Sequence, residues 1–408
     1  MINYLQALQS VRQTAEQTPL ATESIALADA VGRVCAQNLC APIAIQPFDN
    51  SAMDGFAVRC CDIPNKGATL SCVGTVAAGD PVPTIPLMAN TCVAIMTGAP
   101  MPPQADAVVP IEQCQRQGDS VHFRATPTQH ANIRWLGEDI AKGTPLINTG
   151  QRLATQHVMA LAALGVASVE VFAKASVAFL ATGDELVDDL SQPLQSGQIY
   201  NSNGPYSRAA LTAMGVHQIA SITLRDDPNH FTQTISTLES QGVNVIISSG
   251  AVSAGSKDFI RQQLETMNAT IVFHKVAIKP GKPILFARLA SGVLYFGLPG
   301  NPVATAAALR FFVQPCLQAM MNSAPEIPLP AVATNSFRKR QGLRMFLKTR
   351  VSLENGQWVV TILEGQDSFM VKPFVHMNSW AIADEHTQEI NPGDTLETVP
   401  LYPHDGFF

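Results

Sequence analysis

Between residues 176 and 321 short apolar runs alternate with helix-period stretches, and this rhythm restricts the fold more than any other feature of the chain. Residues 176–181, 219–224, 243–248, 271–276, 284–289 and 293–296 read as strands. Residues 206–214, 230–240 and 258–267 read as helices, and a long apolar helix opens at Pro302. Such alternation predicts a mostly parallel sheet covered on both faces. Ligands of such sheets bind at the carboxyl ends of the strands.

The flanking segments have other rhythms. Residues 3–17 place Leu5, Leu8 and Val11 on one helical face behind Asn3, a capping residue. From about 46 to 137 short β-type runs such as 70–73 and 93–96 are broken by Gly, Pro and Asp turns, which predicts a small β-rich domain. Residues 323–330 carry repeated Pro and read as a linker. Beyond it, runs at 343–351, 358–363 and 395–401 alternate as half-exposed strands do, suggesting a small barrel.

With 26 Lys+Arg against 32 Asp+Glu the net charge is -6, too acidic for a binder of duplex nucleic acid, whose phosphates demand a basic surplus. No apolar run approaches a membrane span, and the first residues lack a basic and apolar leader, so a cytoplasmic protein without membrane contact is expected. The 8 cysteines include no C-x-x-C pair, which points to reduced thiols rather than a disulfide framework or a zinc site.

Chemistry concentrates at the strand ends of the 176–321 segment. Thr182-Gly183-Asp184-Glu185-Leu186 puts carboxylates on the binding rim, where they suit Mg²⁺ or cap a following helix. Ser249-Gly250-Ala251-Val252-Ser253-Ala254-Gly255-Ser256-Lys257-Asp258 joins a strand to a helix with small residues. Their backbone N–H groups could approach a phosphate, the alternative being a plain connecting turn. Lys275, Lys279 and Lys282 fall within eight residues of a chain with only 14% charged residues, which suggests an oxyanion pocket or a solvated edge. Gly297-Leu298-Pro299-Gly300-Asn301-Pro302 opens the long helix, with Asn301 at the N-cap and Pro302 at the first helical position. Elsewhere, the segments around Asp49-Asn50-Ser51-Ala52-Met53-Asp54, Met96-Thr97-Gly98 and Gly137-Glu138-Asp139 are polar interruptions without helical or strand period.

Eight ordered segments carry a resemblance: F-D-N-S-A-M-D-G, I-M-T-G-A-P, G-E-D-I, T-G-D-E-L, G-Q-I-Y-N-S-N, S-S-G-x-V-S-x-G, A-I-K-P-G-K-P and G-L-P-G-N-P. Together, from the first helix to about residue 320, they resemble the molybdopterin molybdenumtransferase family, the MoeA proteins and the E domain of gephyrin. The resemblance implies an α/β multidomain, elongated subunit. Its parts would be a discontinuous first domain (1–45 and 138–175), an inserted β-rich domain (46–137), a doubly wound α/β molybdopterin-binding domain (176–322) and a C-terminal β-barrel (331–408). It further implies a homodimer in which Asp54, Thr97 and Asp139 of one subunit face Glu185, Asp226, Asp258, Lys275 and Lys279 of the other.

The implied reaction inserts molybdenum from molybdate into adenylylated molybdopterin with release of AMP, and enzymes that accept the finished cofactor are the implied downstream partners. Molybdate and a phosphoanhydride repel one another. On this resemblance Lys275, Lys279 and Lys282 supply positive charge, and Mg²⁺ sits among Glu185, Asp226 and Asp258, with Asp227 the alternative to Asp226. Gly183, Asn203, Ser249, Gly250, Ser253, Gly255, Pro299 and Pro302 would line the pterin site, and Arg344 and Ser368 would reach molybdate from the barrel. The chain departs from the family at Ala251, where a glycine is usual, at Arg344-Met345-Phe346-Leu347-Lys348 in place of Arg-x-Glu-Phe-x-Arg, and at Asp367-Ser368-Phe369 in place of Gly-Ser-His. Two other functions compete with this one: a non-catalytic holder or scaffold for the cofactor, and a related adenylyltransferase.

Overall fold

The computed structural model describes residues 1–84, 86–251 and 259–402. Its central sheet runs in the order His217–Leu224, Ser176–Thr182, Val245–Ser249, Leu294–Leu298, Leu285–Arg288, Thr270–His274. The first four strands are parallel. Leu285–Arg288 is antiparallel to Leu294–Leu298, since the 289–293 turn between them is too short for a crossover helix, and also to Thr270–His274, which therefore runs in the direction of the first four. Ser176–Thr182 is buried along almost its whole length and feeds both faces: Val177, Phe179 and Ala181 join one core, Ala178 and Leu180 the other. Its neighbours His217–Leu224 and Val245–Ser249 lie on opposite sides, so their carboxyl ends open a crevice where the winding reverses.

Helix boundaries follow local caps. Asn203–Ala213 begins three residues before the expected start because Asn201 Oδ1 accepts from Gly204 N at 2.9 Å. Pro228–Ser240 begins two residues early because the Asp227 side chain accepts from the N–H groups of Asn229 and His230, with Pro228 at the first position. The helix expected from Pro302 runs as Pro302–Ala308, a π turn at Leu309–Val313 and Gln314–Met320, buried nearly all round. Tyr4–Glu16, closed by an Asn3/Gln6 capping box, packs on this helix through Tyr4, Ala7 and Val11. It therefore shares the core of the α/β unit rather than that of residues 22–45.

The β-rich segment forms a six-stranded sheet ordered Ala107–Pro110, Gly55–Val58, Thr91–Ile95, Thr69–Val76, Ser120–Phe123, Cys114–Gln117. At the other end, Arg344–Glu354, Gln357–Ile362, Leu329–Ala333, Thr395–Pro400 and Ser379–Ala383 pair in a closed ring, a five-stranded barrel around Met345, Leu347, Val360 and Leu396. Pro330, expected in the linker, is a barrel residue opposite Glu397.

Candidate active site

The switch-point crevice opens into a cleft of about 860 Å³ between the α/β domain and the barrel. Its floor is backbone. Gly250 has φ +106, and a Cβ there would stand 2.3 Å from the Thr182 carbonyl oxygen. At Gly183 an added Cβ would meet the Glu185 carboxylate at 2.8 Å. Only glycine lets these two turns approach each other and leave room for a ligand.

One wall is a satisfied polar network. Asn203 Nδ2 donates to Ser249 Oγ at 2.7 Å and to the Gly300 carbonyl at 2.8 Å. Ser249 Oγ lies 3.2 Å from Thr305 Oγ1, which donates to the Pro299 carbonyl at 2.6 Å. Ser249 and Thr305 are buried, so these bonds fix the loop before any ligand arrives.

Acid and base line the same cleft. Glu185 and Asp226 lie on the α/β rim, whereas Asp227 is committed to its helix cap. No helix follows Glu185: Leu186–Val187 pairs with Ile199–Tyr200 as a small parallel ribbon. Lys279 and Lys282 project from the segment that crosses to the barrel, where Ile278–Lys279 pairs with Arg344 and Met345. Pro299, Pro302 and Ser368 complete the lining. Two expected residues stand apart. Lys275 lies beyond the cleft in a left-handed turn at φ +71, its N–H given to Ile284 and its carbonyl taken by Ile2. Arg344 points away, paired with Glu385 at 2.9 Å and stacked over Tyr4, because strand alternation turns Leu343, not Arg344, to the cleft. Ser253, Gly255 and Asp258 lie outside the described residues.

Far along the chain, the three irregular segments converge on one another. Asp54 Oδ1 accepts from Thr97 N and Oγ1 at 2.7 and 2.8 Å, which holds its carboxyl below the ordinary range. Asp49 Oδ1 accepts from Leu136 N at 2.8 Å, and Asp139 N donates to Gln46 Oε1 at 3.2 Å. Met53, Met96 and Trp135 are exposed beside them. Within one chain this group does not line the cleft.

Sequence reasoning noted Asp367 and Lys348 only within segments that depart from the family and gave them no role: the Asp367 carboxylate meets Lys279, and Lys348 is a buried lysine in the barrel strand Arg344–Glu354. A cation standing between the apolar Met345-Phe346-Leu347 run and Thr349 was the available signal for the second. Asp367 stood out only as a departure from the family pattern, and its partner was not signalled, because only the folded loop brings it to Lys279.

An α/β crevice floored by glycine turns and lined by both carboxylates and lysines defines a protein suited to a phosphorylated, multiply anionic ligand. The chain belongs to the MoeA family of molybdopterin molybdenumtransferases. Residues 2–165 match the MoeA N-terminal region (domain I and II), and residues 178–319 match the probable molybdopterin binding domain. A molybdopterin molybdenumtransferase of Synechococcus elongatus is 35% identical over 98% of this chain and 100% of its own length. One of Haemophilus influenzae is 35% identical over 94% and 95%. The crystal structure of a molybdopterin biosynthesis MoeA protein from Pyrococcus horikoshii superposes with a TM-score of 0.83 at 26% identity, covering 97% of this chain and 98% of the other.

Proposed function

We propose that the protein inserts molybdenum from molybdate into adenylylated molybdopterin, releasing AMP, as a step of molybdenum cofactor biosynthesis. The observation that carries this reading is that Glu185 and Asp226 line one cleft together with Lys279 and Lys282. The lysines neutralise approaching oxyanions, and the Gly183 and Gly250 turns admit the pterin phosphate close to the backbone. Glu185 and Asp226 offer hard oxygen donors of the kind that hold Mg²⁺ together with substrate phosphate, and Asp258 completes the set on the family pattern. Bound there, Mg²⁺ would supply charge neutralisation at the phosphoanhydride. A homodimer that brings Asp54, Thr97 and Asp139 of one chain to the cleft of another gives the second polar group a role it lacks alone, and the exposed Met53, Met96 and Trp135 support that reading. The non-catalytic alternative finds no support among the relatives, which are named as transferases.

The test is incubation of the purified protein with adenylylated molybdopterin and molybdate, following AMP release and molybdenum incorporation together. Joint, stoichiometric appearance is expected; pterin binding without either product would establish a carrier.

A further inference from the structure

Asp367 sits on the barrel loop 364–371, its Oδ1 3.4 Å from Lys279 Nζ. An exposed ion pair is weak in itself, and both partners here are about half exposed. The anchoring of the loop is what sets this one apart. Lys348, 1% exposed, donates to the carbonyl oxygens of Gly365, Asp367 and Met370, the last two at 3.1 Å. An ammonium has three N–H donors, so the three acceptors account for all of them. Gln366 exchanges a further pair of bonds with the Lys348 backbone, at 3.0 and 2.9 Å. On the far side of Asp367, Ser368 is held by Asn301 and Val303. The backbone is fixed on both sides, and the carboxylate is presented to Lys279 rather than free to drift away.

We propose that Asp367 is a built-in competitor for the oxyanion at Lys279 and sets the molybdate concentration the cleft requires. The inference rests on the reading that Lys279 receives molybdate. An incoming dianion must displace the carboxylate from Lys279 or lie beside it against like charge. Either way affinity falls, in a chain whose net charge of -6 already repels the anion. Removing Asp367 therefore tightens binding, the opposite of what loss of a ligand-holding residue does.

The experiment measures molybdate binding by equilibrium dialysis on the full chain, at about 10 and 150 mM ionic strength. The proteins compared are the parent, Asp367→Asn, Asp367→Ala, Lys279→Ala and the Asp367→Asn/Lys279→Ala double variant. The Ala variant guards against a new hydrogen bond from the Asn amide, and both leave the backbone clamp in place. Both single Asp367 variants are expected to bind molybdate about fivefold more tightly at low salt, as for removal of one exposed charge contact, with a smaller gain at high salt. Lys279→Ala should weaken binding, and the gain from Asp367→Asn should largely vanish in its background. Weaker binding after Lys279→Ala with no tightening from either Asp367 variant would overturn the competitor and leave the role of Lys279 standing. An equal gain in both backgrounds would likewise overturn competition at Lys279. Unchanged affinity in every variant would remove the oxyanion from Lys279, and the inference with it.

Discussion

Asn301 Nδ2 donates to Ser368 Oγ at 3.0 Å, tying the mouth of the long helix to the barrel loop. Asn301 occupies the N-cap position that its place before Pro302 predicts, but its side chain caps nothing; the carbonyl of Ser368 instead accepts from Val303 N at 3.2 Å. The barrel thus caps the helix, and Asn301 spends its amide on the domain contact. Asn301→Ala should cost only about 1 kcal/mol in urea unfolding, the worth of one exposed hydrogen bond. Its larger effect is expected on molybdate affinity, because the loop that carries Asp367 and Ser368 loses one tether. Equal affinity in variant and parent would show that the tether does not shape the cleft.

Gly250 and Ala251 make opposite predictions one residue apart. Gly250→Ala drives a Cβ to within 2.3 Å of the Thr182 carbonyl at φ +106, so the strand ends must part, and a loss on the order of 3 kcal/mol is expected together with pterin binding. Ala251 stands at φ +49, where an L side chain is strained. Ala251→Gly should raise stability by about 1 kcal/mol and leave pterin affinity intact. Chemical denaturation of both variants checks the pair, and a destabilised Ala251→Gly protein would contradict the argument.

Metal dependence is tested at Glu185. Its removal takes away one of the two described carboxylates of the rim. Glu185→Ala should still bind adenylylated molybdopterin but release AMP at least about a hundredfold more slowly, as for loss of a transition-state charge contact. Near-normal release, or full activity after exhaustive chelation, would exclude the metal.

The sheet and its functional edge were legible because burial on both faces writes long apolar runs, as in residues 176–182, and because rim loops must be rich in glycine to let backbones meet. Asp226 and Asp227 could not be separated by sequence: only the folded chain shows Asp227 capping its helix at Asn229 and His230 and Asp226 lining the cleft. Lys275, read into the cleft from its lysine cluster, and Arg344, carried over from the family resemblance, are sent elsewhere by a left-handed turn and a strand's alternation. The contacts of Asp367 and Lys348 were hidden for a different reason. Their partners lie 88 and 17 to 22 residues away, and no local period encodes contacts of that kind.

The shared-site reading makes a genetic-style prediction. If Asp54 of one chain serves the cleft of another, Asp54→Ala and Lys279→Ala proteins are each inactive, but subunit exchange between them builds one interface with both halves intact. Mixed samples should regain part of the parent AMP release, up to about a quarter for random exchange and independent sites. A strictly monomeric species by sedimentation at micromolar concentration, or no recovery after proven exchange, would contradict it.

Lys348 decides between two opposing effects. Burial disfavours its charged form, the three carbonyl acceptors and Asp367 favour it, and Lys279 disfavours it again; burial dominates and pushes the ammonium down to about 8. Below that value the folded and unfolded chains are both protonated at this site, so its contribution to stability does not vary with pH. Between about 8 and the ordinary lysine value near 10.5 the unfolded chain keeps a proton that the folded chain has shed, and stability from this group rises with pH. Lys348→Met removes the titration and orphans three carbonyl groups, so it should destabilise the protein already at pH 7, on the order of 2 kcal/mol. The stability gap between parent and variant should then widen from pH 7 to pH 10 in paired urea unfolding curves. A gap that narrows over that range would mean that the carbonyl cage outweighs burial and holds the ammonium above its unfolded value.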